Sequence, residues 1–270
     1  MTRIKDIFCK NKREGIKTFI AYTVSGDPNI SSSLKILNTL VESGVDIIEL
    51  GIPFSDPIAD GPIIQKAIER TLRNKISLIK TLNIVKAFRK NNKTTPIVLM
   101  GYMNPIEKIG YIKFSKMSKK VGVDGVLIVD LPPEESKNLN TKLRENNIDQ
   151  IFLASPTTDN VRLKRIVKKS SGYVYYVSLK GITGSTIDNI KIVKNKVNTI
   201  RGFSNSNIPV AVGFGIKNAE SAKKISSFSD AIIIGSSIVE LIEKYHNKKN
   251  IMIKKIQSFV SHIKKAINKK

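Results

Sequence analysis

Eight short apolar runs recur along the chain, each followed by a turn signal. They are TFIAYT (Thr18 to Thr23), DIIELG (Asp46 to Gly51), PIVLMGY (Pro96 to Tyr102) and DGVLIVD (Asp124 to Asp130), then IFLAS (Ile151 to Ser155), YVYYVSL (Tyr173 to Leu179), PVAVGFG (Pro209 to Gly215) and DAIIIGS (Asp230 to Ser236). Most positions in them are apolar, with Val and Ile prominent. That pattern predicts strands buried on both faces, as in a parallel sheet. Between them lie amphipathic stretches with a helical period. In SSLKILNTLVESG, Leu34, Ile36, Leu37, Leu40 and Val41 share one face; Ser31 or Ser32 is placed to cap its start and Gly44 to end it. SLIKTLNIVKAFRKNN, EESKNLNTKLRENN, NAESAKKISSFS and SSIVELIEKYHNK have the same character.

A strand then a helix, eight times over, predicts a single-domain (β/α)8 TIM barrel spanning residues 1–270. The alternative is an open doubly wound sheet, but the first βα turn lacks its G-x-G-x-x-G. Residues before Thr18 are expected to form an extra N-terminal helix closing the barrel floor, and the KKAINKK tail is expected to fray. One interval, between DIIELG and PIVLMGY, is longer than the others. Its surplus is assigned to a loop, IPFSDPIADGP, expected on the C-terminal face where such barrels hold their active sites.

Composition narrows the function classes. Cys9 is the only cysteine, which fits a reducing compartment and excludes an intramolecular disulfide; it is read as a packing residue. Only two histidines, His246 and His262, are present, and no metal-ligand spacing appears. No signal sequence or long apolar run is seen, so a cytoplasmic protein with no membrane partner is expected. The net charge of +24 raises the question of nucleic acid. Only nine of the 46 basic residues are arginine, and the lysines spread along helical faces with no interleaved aromatic motif. A solvated lysine-rich surface is favoured, and no nucleic-acid partner is expected.

Candidate chemistry sits at the strand ends. Glu49 is set inside an apolar run, where an ionised carboxylate is costly unless paired, and Asp56 and Asp60 follow in a loop stiffened by Pro53, Pro57 and Pro62. Glycine-bearing turns follow the late strands: KGITGS (Lys180 to Ser185), GFGIKN (Gly213 to Asn218) and IGSS (Ile234 to Ser237). Bare backbone lets a phosphate collect amide donors there, and GSSIVELIE opens a helix whose N-terminus favours an anion.

On the stretches ELGIPFSDPIADGPIIQKA, DLPPEES, GITG, GFGI and GSSIVE, the chain closely resembles the tryptophan synthase α subunit family, from about Phe19 to the C-terminal helix. The resemblance implies retro-aldol cleavage of indole-3-glycerol phosphate to indole and glyceraldehyde 3-phosphate. It implies no cofactor in this chain, with pyridoxal phosphate in a partner β subunit and an α2β2 tetramer. It places the acid/base glutamate at Glu49, a second carboxylate at Asp60 and an assisting tyrosine at Tyr175. Phosphate contacts fall at Gly184, Phe214, Gly215, Gly235 and Ser236, and the aromatic packed on the indole at Tyr22. The β-facing surface falls at Pro53, Asp56, Pro57, Asn104 and Pro132. The sequence departs from some members at Leu179 and Lys180, where those have an arginine ahead of the phosphate loop.

The chemistry suits these residue types. Cleavage needs a proton delivered to indole C3 and a proton removed from a side-chain hydroxyl. One carboxyl group poised near neutrality serves both transfers, while a carboxylate accepting the indole N–H stabilises the positive charge that develops. Simpler readings stand beside these. Glu49 can pair with a lysine, Asp60 can be a turn residue, and Tyr175 can be core. Asp130, ending strand 4, can be a helix cap or a site-orienting group.

Overall fold

The computed structural model describes residues 2–177, 187–203, 208–213 and 215–268. All eight apolar runs contain strands: β1 (Thr18–Val24), β2 (Ile47–Gly51), β3 (Ile97–Gly101), β4 (Gly125–Ile128), β5 (Asp149–Ala154), β6 (Val174–Val177), β7 (Val210–Gly213) and β8 (Ala231–Ile234). Each pairs in parallel with its sequence neighbours and β8 pairs with β1, so the sheet closes. The expected (β/α)8 barrel is the fold, and the open doubly wound sheet is excluded.

Helices α1 (Arg3–Arg13), α2 (Ile30–Glu42), α3 (Pro62–Arg73), α4 (Leu78–Phe88), α5 (Met103–Ile109), α6 (Tyr111–Val121) and α7 (Lys137–Glu145) accompany the first half of the barrel. The second half carries α8 (Asn160–Lys169), α9 (Ile187–Gly202), α10 (Ala219–Ser226), α11 (Ser236–Tyr245) and α12 (Lys249–Asn268). Side chains pointing out from the strands join the helices in one large core, while those pointing in form a separate cluster that includes Ile20, Ile47, Val98, Leu127, Ile151 and Tyr173. This is the two-sided burial that the unbroken apolar runs require.

The floor is closed as expected by α1. Its Ile4 is fully buried and Phe8 nearly so, both within the inner cluster; burying each such side chain contributes about 2 kcal/mol. Gly125 makes room for this plug, since a Cβ there would lie 2.9 Å from Ile4 Cδ1. Three strands are preceded by an aspartate that ties the floor together. Asp46 accepts from the amide of Phe19, Asp124 from that of Ile97 and Asp230 from that of Val210. Each also meets cations: Lys264, the Arg3 and Arg89 pair, and Arg201 respectively. These charges are compensated where they are buried, as a folded core requires.

Several local expectations change. The cap of α2 is Asn29, whose side chain accepts from the amide of Ser32, so Ser31 and Ser32 lie within the helix. Gly44 follows the end of α2 at φ +99°, a left-handed conformation that suits glycine. The surplus between β2 and β3 is the expected loop over 52–61 together with an additional helix, α3, that Pro62 opens. The tail does not fray through Asn268. Met252, Ile256, Val260, Ile263 and Ile267 form a buried stripe on α12, and the Asn268 side chain accepts from the amide of Lys17. Cys9 is exposed and is no packing residue.

Candidate active site

Strand alternation carries Tyr22, Glu49, Met100, Leu153 and Tyr175 to the inner face, near the C-terminal ends of their strands. Glu49 is fully buried. Burial pushes its carboxyl up to about 7, and a hydrogen bond from Tyr173 opposes that shift. The Tyr173 hydroxyl donates to Oε1 at 2.5 Å, while Oε2 has no hydrogen-bond partner. A buried carboxylate oxygen left open at the mouth of a barrel is a chemical handle, not a structural tie. The alternative in which Glu49 pairs with a lysine is excluded among the described residues.

Asp60 reaches the same mouth from the β2–α3 loop. Burial raises its carboxyl above the ordinary range, with the Tyr102 hydroxyl acting against this by donating to Oδ2 at 2.7 Å. That hydroxyl also accepts from the amide of Ala59, at 3.1 Å, and the Tyr102 ring packs on Phe54 with centroids 5.3 Å apart. Gln65 donates to the carbonyl of Asp60. Tyr102 therefore holds both the loop and its carboxylate. Sequence reasoning missed Tyr102 in this role. The available signal was its place at the end of strand 3, on the same rim as Glu49.

Tyr22 and Tyr175 line the space between. Burial first, and then the fields of Asp60 and Glu49, push the Tyr22 hydroxyl well above its usual range; burial and then Glu49 and Asp60 do the same at Tyr175. The Tyr22 ring spans two functional turns. A Cβ on Gly51 would sit 2.3 Å from its hydroxyl, and one on Gly235 would sit 3.1 Å from its Cδ1. A single ring thus connects the residue two after Glu49 to the turn that opens α11. Tyr175 abuts Gly213 in the same way, at 2.5 Å from a notional Cβ. Gly51→Ala is therefore expected to displace Tyr22, raise KM for the substrate and lower the melting temperature by several degrees, since overpacking a buried site costs about 1–3 kcal/mol; steady-state kinetics and a thermal melt check both.

Part of the expected anion-binding turns lies among the described residues. Gly235 precedes α11, and the first amides donating back to its carbonyl are those of Ile238 and Val239. The amides of Ser236 and Ser237 are left at a helix N-terminus, where a phosphate is favoured. Gly215 lies on the neighbouring turn at φ +55°, and Ser237 ties the two turns by donating to the carbonyl of Ile216. Gly184 and Phe214, with Leu179 and Lys180, lie outside the described residues.

The remaining candidates are spread over the adjoining rim. Asp56 and Asn104 are exposed, and Pro57 and Pro132 are half-buried. Pro53 is buried, so it shapes the loop from beneath and presents little surface of its own. Ile58 between them is 86% exposed, an apolar side chain with no cover in the isolated chain. Asp130 accepts from the amide of Met103 in the first turn of α5, the capping contact of its two readings. Among the described residues no cluster of metal-ligating side chains occurs, and no helix is long and apolar enough to cross a membrane.

Comparisons with known proteins bear on the family and the fold. The family model described as "Tryptophan synthase alpha chain" matches residues 8–268. The chain is similar to the tryptophan synthase alpha chain of Nitrosomonas europaea, with 44% identity over 270 residues covering 100% of this chain and 97% of that protein. It is 45% identical over 267 residues to the one from Ruthia magnifica, covering 99% and 100%. Among solved structures, the tryptophan synthase subunit alpha of Legionella pneumophila superposes with a TM-score of 0.91 at 37% identity, covering 99% of this chain and 98% of that one. A chain in a structure of tryptophan synthase from M. tuberculosis superposes at 0.88 and 28%, covering 99% and 98%.

Proposed function

This chain belongs to the tryptophan synthase alpha chain family, and from that premise we propose how its residues divide the work of cleaving indole-3-glycerol phosphate. The reaction breaks the bond between indole C3 and the glycerol side chain, giving indole and glyceraldehyde 3-phosphate. Glu49 delivers a proton to C3 and takes one from the side-chain hydroxyl as the aldehyde forms. Asp60 accepts the indole N–H and stabilises the positive charge that C3 protonation places on the ring. Tyr22 and Tyr175 flank the aromatic ring. The phosphate is held by the amides at Gly235 and Ser236, by Gly215, and by Gly184 and Phe214.

The observation that carries this reading is the unpartnered Oε2 of a fully buried Glu49 whose carboxyl sits near 7, on the same mouth as Asp60. A group poised there exchanges protons at little cost in either direction. Other phosphate-binding barrels that process indole precursors generally rely on a strand-end lysine, and none of the eight strands here contains one. Incubating the purified chain with indole-3-glycerol phosphate should release free indole; ring closure or isomerisation instead would refute the assignment. The pH profile of kcat/KM should inflect near 7, where the Glu49 carboxyl titrates. A profile flat across neutrality would remove Glu49 from the acid/base role.

The partner is the tryptophan synthase β subunit, which carries the pyridoxal phosphate. The exposed Ile58 and the rim of Asp56, Pro57, Asn104 and Pro132 suit that contact, continuous with the loop bearing Asp60. Docking there orders the loop, so adding β subunit should raise the rate of indole formation. An unchanged rate would argue that this rim is not the contact.

A further inference from the structure

The barrel has a second recess, at the opposite end from Glu49. A cavity of about 790 Å³ lies between α1 and the first residues of the strands, within the size range of small-molecule sites. Its wall is apolar at Phe8, Ile16, Ile208 and Pro209. Lys5 and Lys12 stand exposed on its rim with no carboxylate in salt-bridge contact among the described residues, and Lys5 lies in the field of Asp149. The carboxylates that also line it are already engaged: Asp149 accepts from Thr2, and Asp230 is held by Arg201 and the amide of Val210. Ser170 also lines it; that residue is 9% exposed, and its hydroxyl is buried in the wall with no hydrogen-bond partner. Apolar walls rimmed by three lysines, Lys5, Lys12 and Lys17, against two carboxylates that are already engaged, suit an apolar molecule bearing an anionic head.

The floor of this cavity touches the catalytic machinery. The Phe8 ring packs against Tyr173, centroids 5.9 Å apart at 49°. Tyr173 is the residue whose hydroxyl donates to Glu49. Two contacts thus join the cavity wall to the carboxylate, through side chains that are both buried and so move together.

We propose that this cavity binds a small apolar anion, an aromatic or aliphatic carboxylate, sulfonate or phosphate, and that its occupancy lowers the lyase rate by shifting Phe8 and Tyr173 against Glu49. The rate effect rests on the acid/base role assigned to Glu49; the binding does not. The probe is 8-anilinonaphthalene-1-sulfonate, titrated by fluorescence onto the whole chain. One site per chain is expected. Its affinity should fall at least about tenfold in the Lys5→Glu, Lys12→Glu double variant, whose changes lie on the exposed rim and spare the core. Saturating glycerol 3-phosphate, which occupies the phosphate turns at the other end, should not displace it. Cys9 also lines the cavity and is the only thiol, so probe binding should slow its reaction with a disulfide reagent. At saturation, indole formation should fall at least threefold in the native chain and be unaffected in the double variant. Displacement by glycerol 3-phosphate, equal affinity in the double variant, or an unprotected Cys9 would overturn the site. Saturation with an unchanged rate would overturn the coupling. A failed Glu49→Gln test, by contrast, leaves the titration and thiol readouts intact.

Discussion

Glu49→Gln is expected to reduce indole formation by at least a hundredfold while leaving the chain folded and, above neutral pH, more stable than the native protein. On the proposed mechanism the loss follows from removing the group that exchanges protons with C3 and the hydroxyl, a contribution of about 3 kcal/mol or more. Glutamine is close in size, and its amide oxygen still accepts from Tyr173, so neither cavity nor broken network accompanies the change. The gain in stability follows from burial. Desolvation raises the Glu49 carboxyl to about 7 in the folded chain, while in the unfolded chain it sits near its ordinary value of about 4.3. Between those two values the unfolded state ionises and the folded state does not, so stability falls as pH rises through that window and stays lowered above it. The native residue therefore costs on the order of 3 kcal/mol at alkaline pH, a penalty absent below about pH 4. Thermal or urea melts of the two forms at acid and alkaline pH should coincide at the first and separate at the second. Near-native activity would refute the catalytic role, and coincident melts at alkaline pH would refute the buried-acid account.

The same burial explains why the sequence exposed Glu49 so readily: a carboxylate inside an unbroken Val- and Ile-rich run violates the pattern around it. The strands were legible for a related reason. Fully buried parallel strands leave uninterrupted apolar stretches, and all eight stretches contain one. Other features depend on contacts between distant segments. Tyr102 gives no local sign that its hydroxyl meets Asp60, 42 residues away in sequence. Tyr173 shares a face with Tyr175 by alternation, but alternation does not say that it holds Glu49. The tail reads as lysine-rich and frayed, yet the stripe from Met252 to Ile267 gains its order from α2, α10 and α11. Asp46, Asp124 and Asp230 open their runs in plain sight, and only the closed barrel shows them clamping neighbouring strands.

Asp60→Asn should cost about a hundredfold in kcat/KM, close to Glu49→Gln in effect though different in origin. Asparagine keeps the shape of the loop: its carbonyl still accepts from Tyr102, and the main-chain bonds of Ala59 and Gln65 are untouched. It loses the negative charge and exchanges one acceptor oxygen for an NH2 donor, leaving a single carbonyl oxygen to accept from both Tyr102 and the indole N–H. On the proposed roles that charge faces an indole ring made cationic by protonation at C3, and the partial burial of Asp60 strengthens its effect there. The loss should appear mainly in kcat, because neutral substrate ring and neutral amide still form a hydrogen bond in the ground state. Tyr102→Phe separates this from loop order. It leaves the Asp60 charge but removes the hydroxyl that holds both Oδ2 and the Ala59 amide. Its cost should therefore be several-fold and shared between KM and kcat, and, on the proposal that the partner subunit orders the loop, recoverable on adding that subunit. If Tyr102→Phe proved as damaging as Asp60→Asn, or if Asp60→Asn raised KM alone, Asp60 would be a turn residue that shapes the pocket, and another group would have to stabilise the charge on the ring.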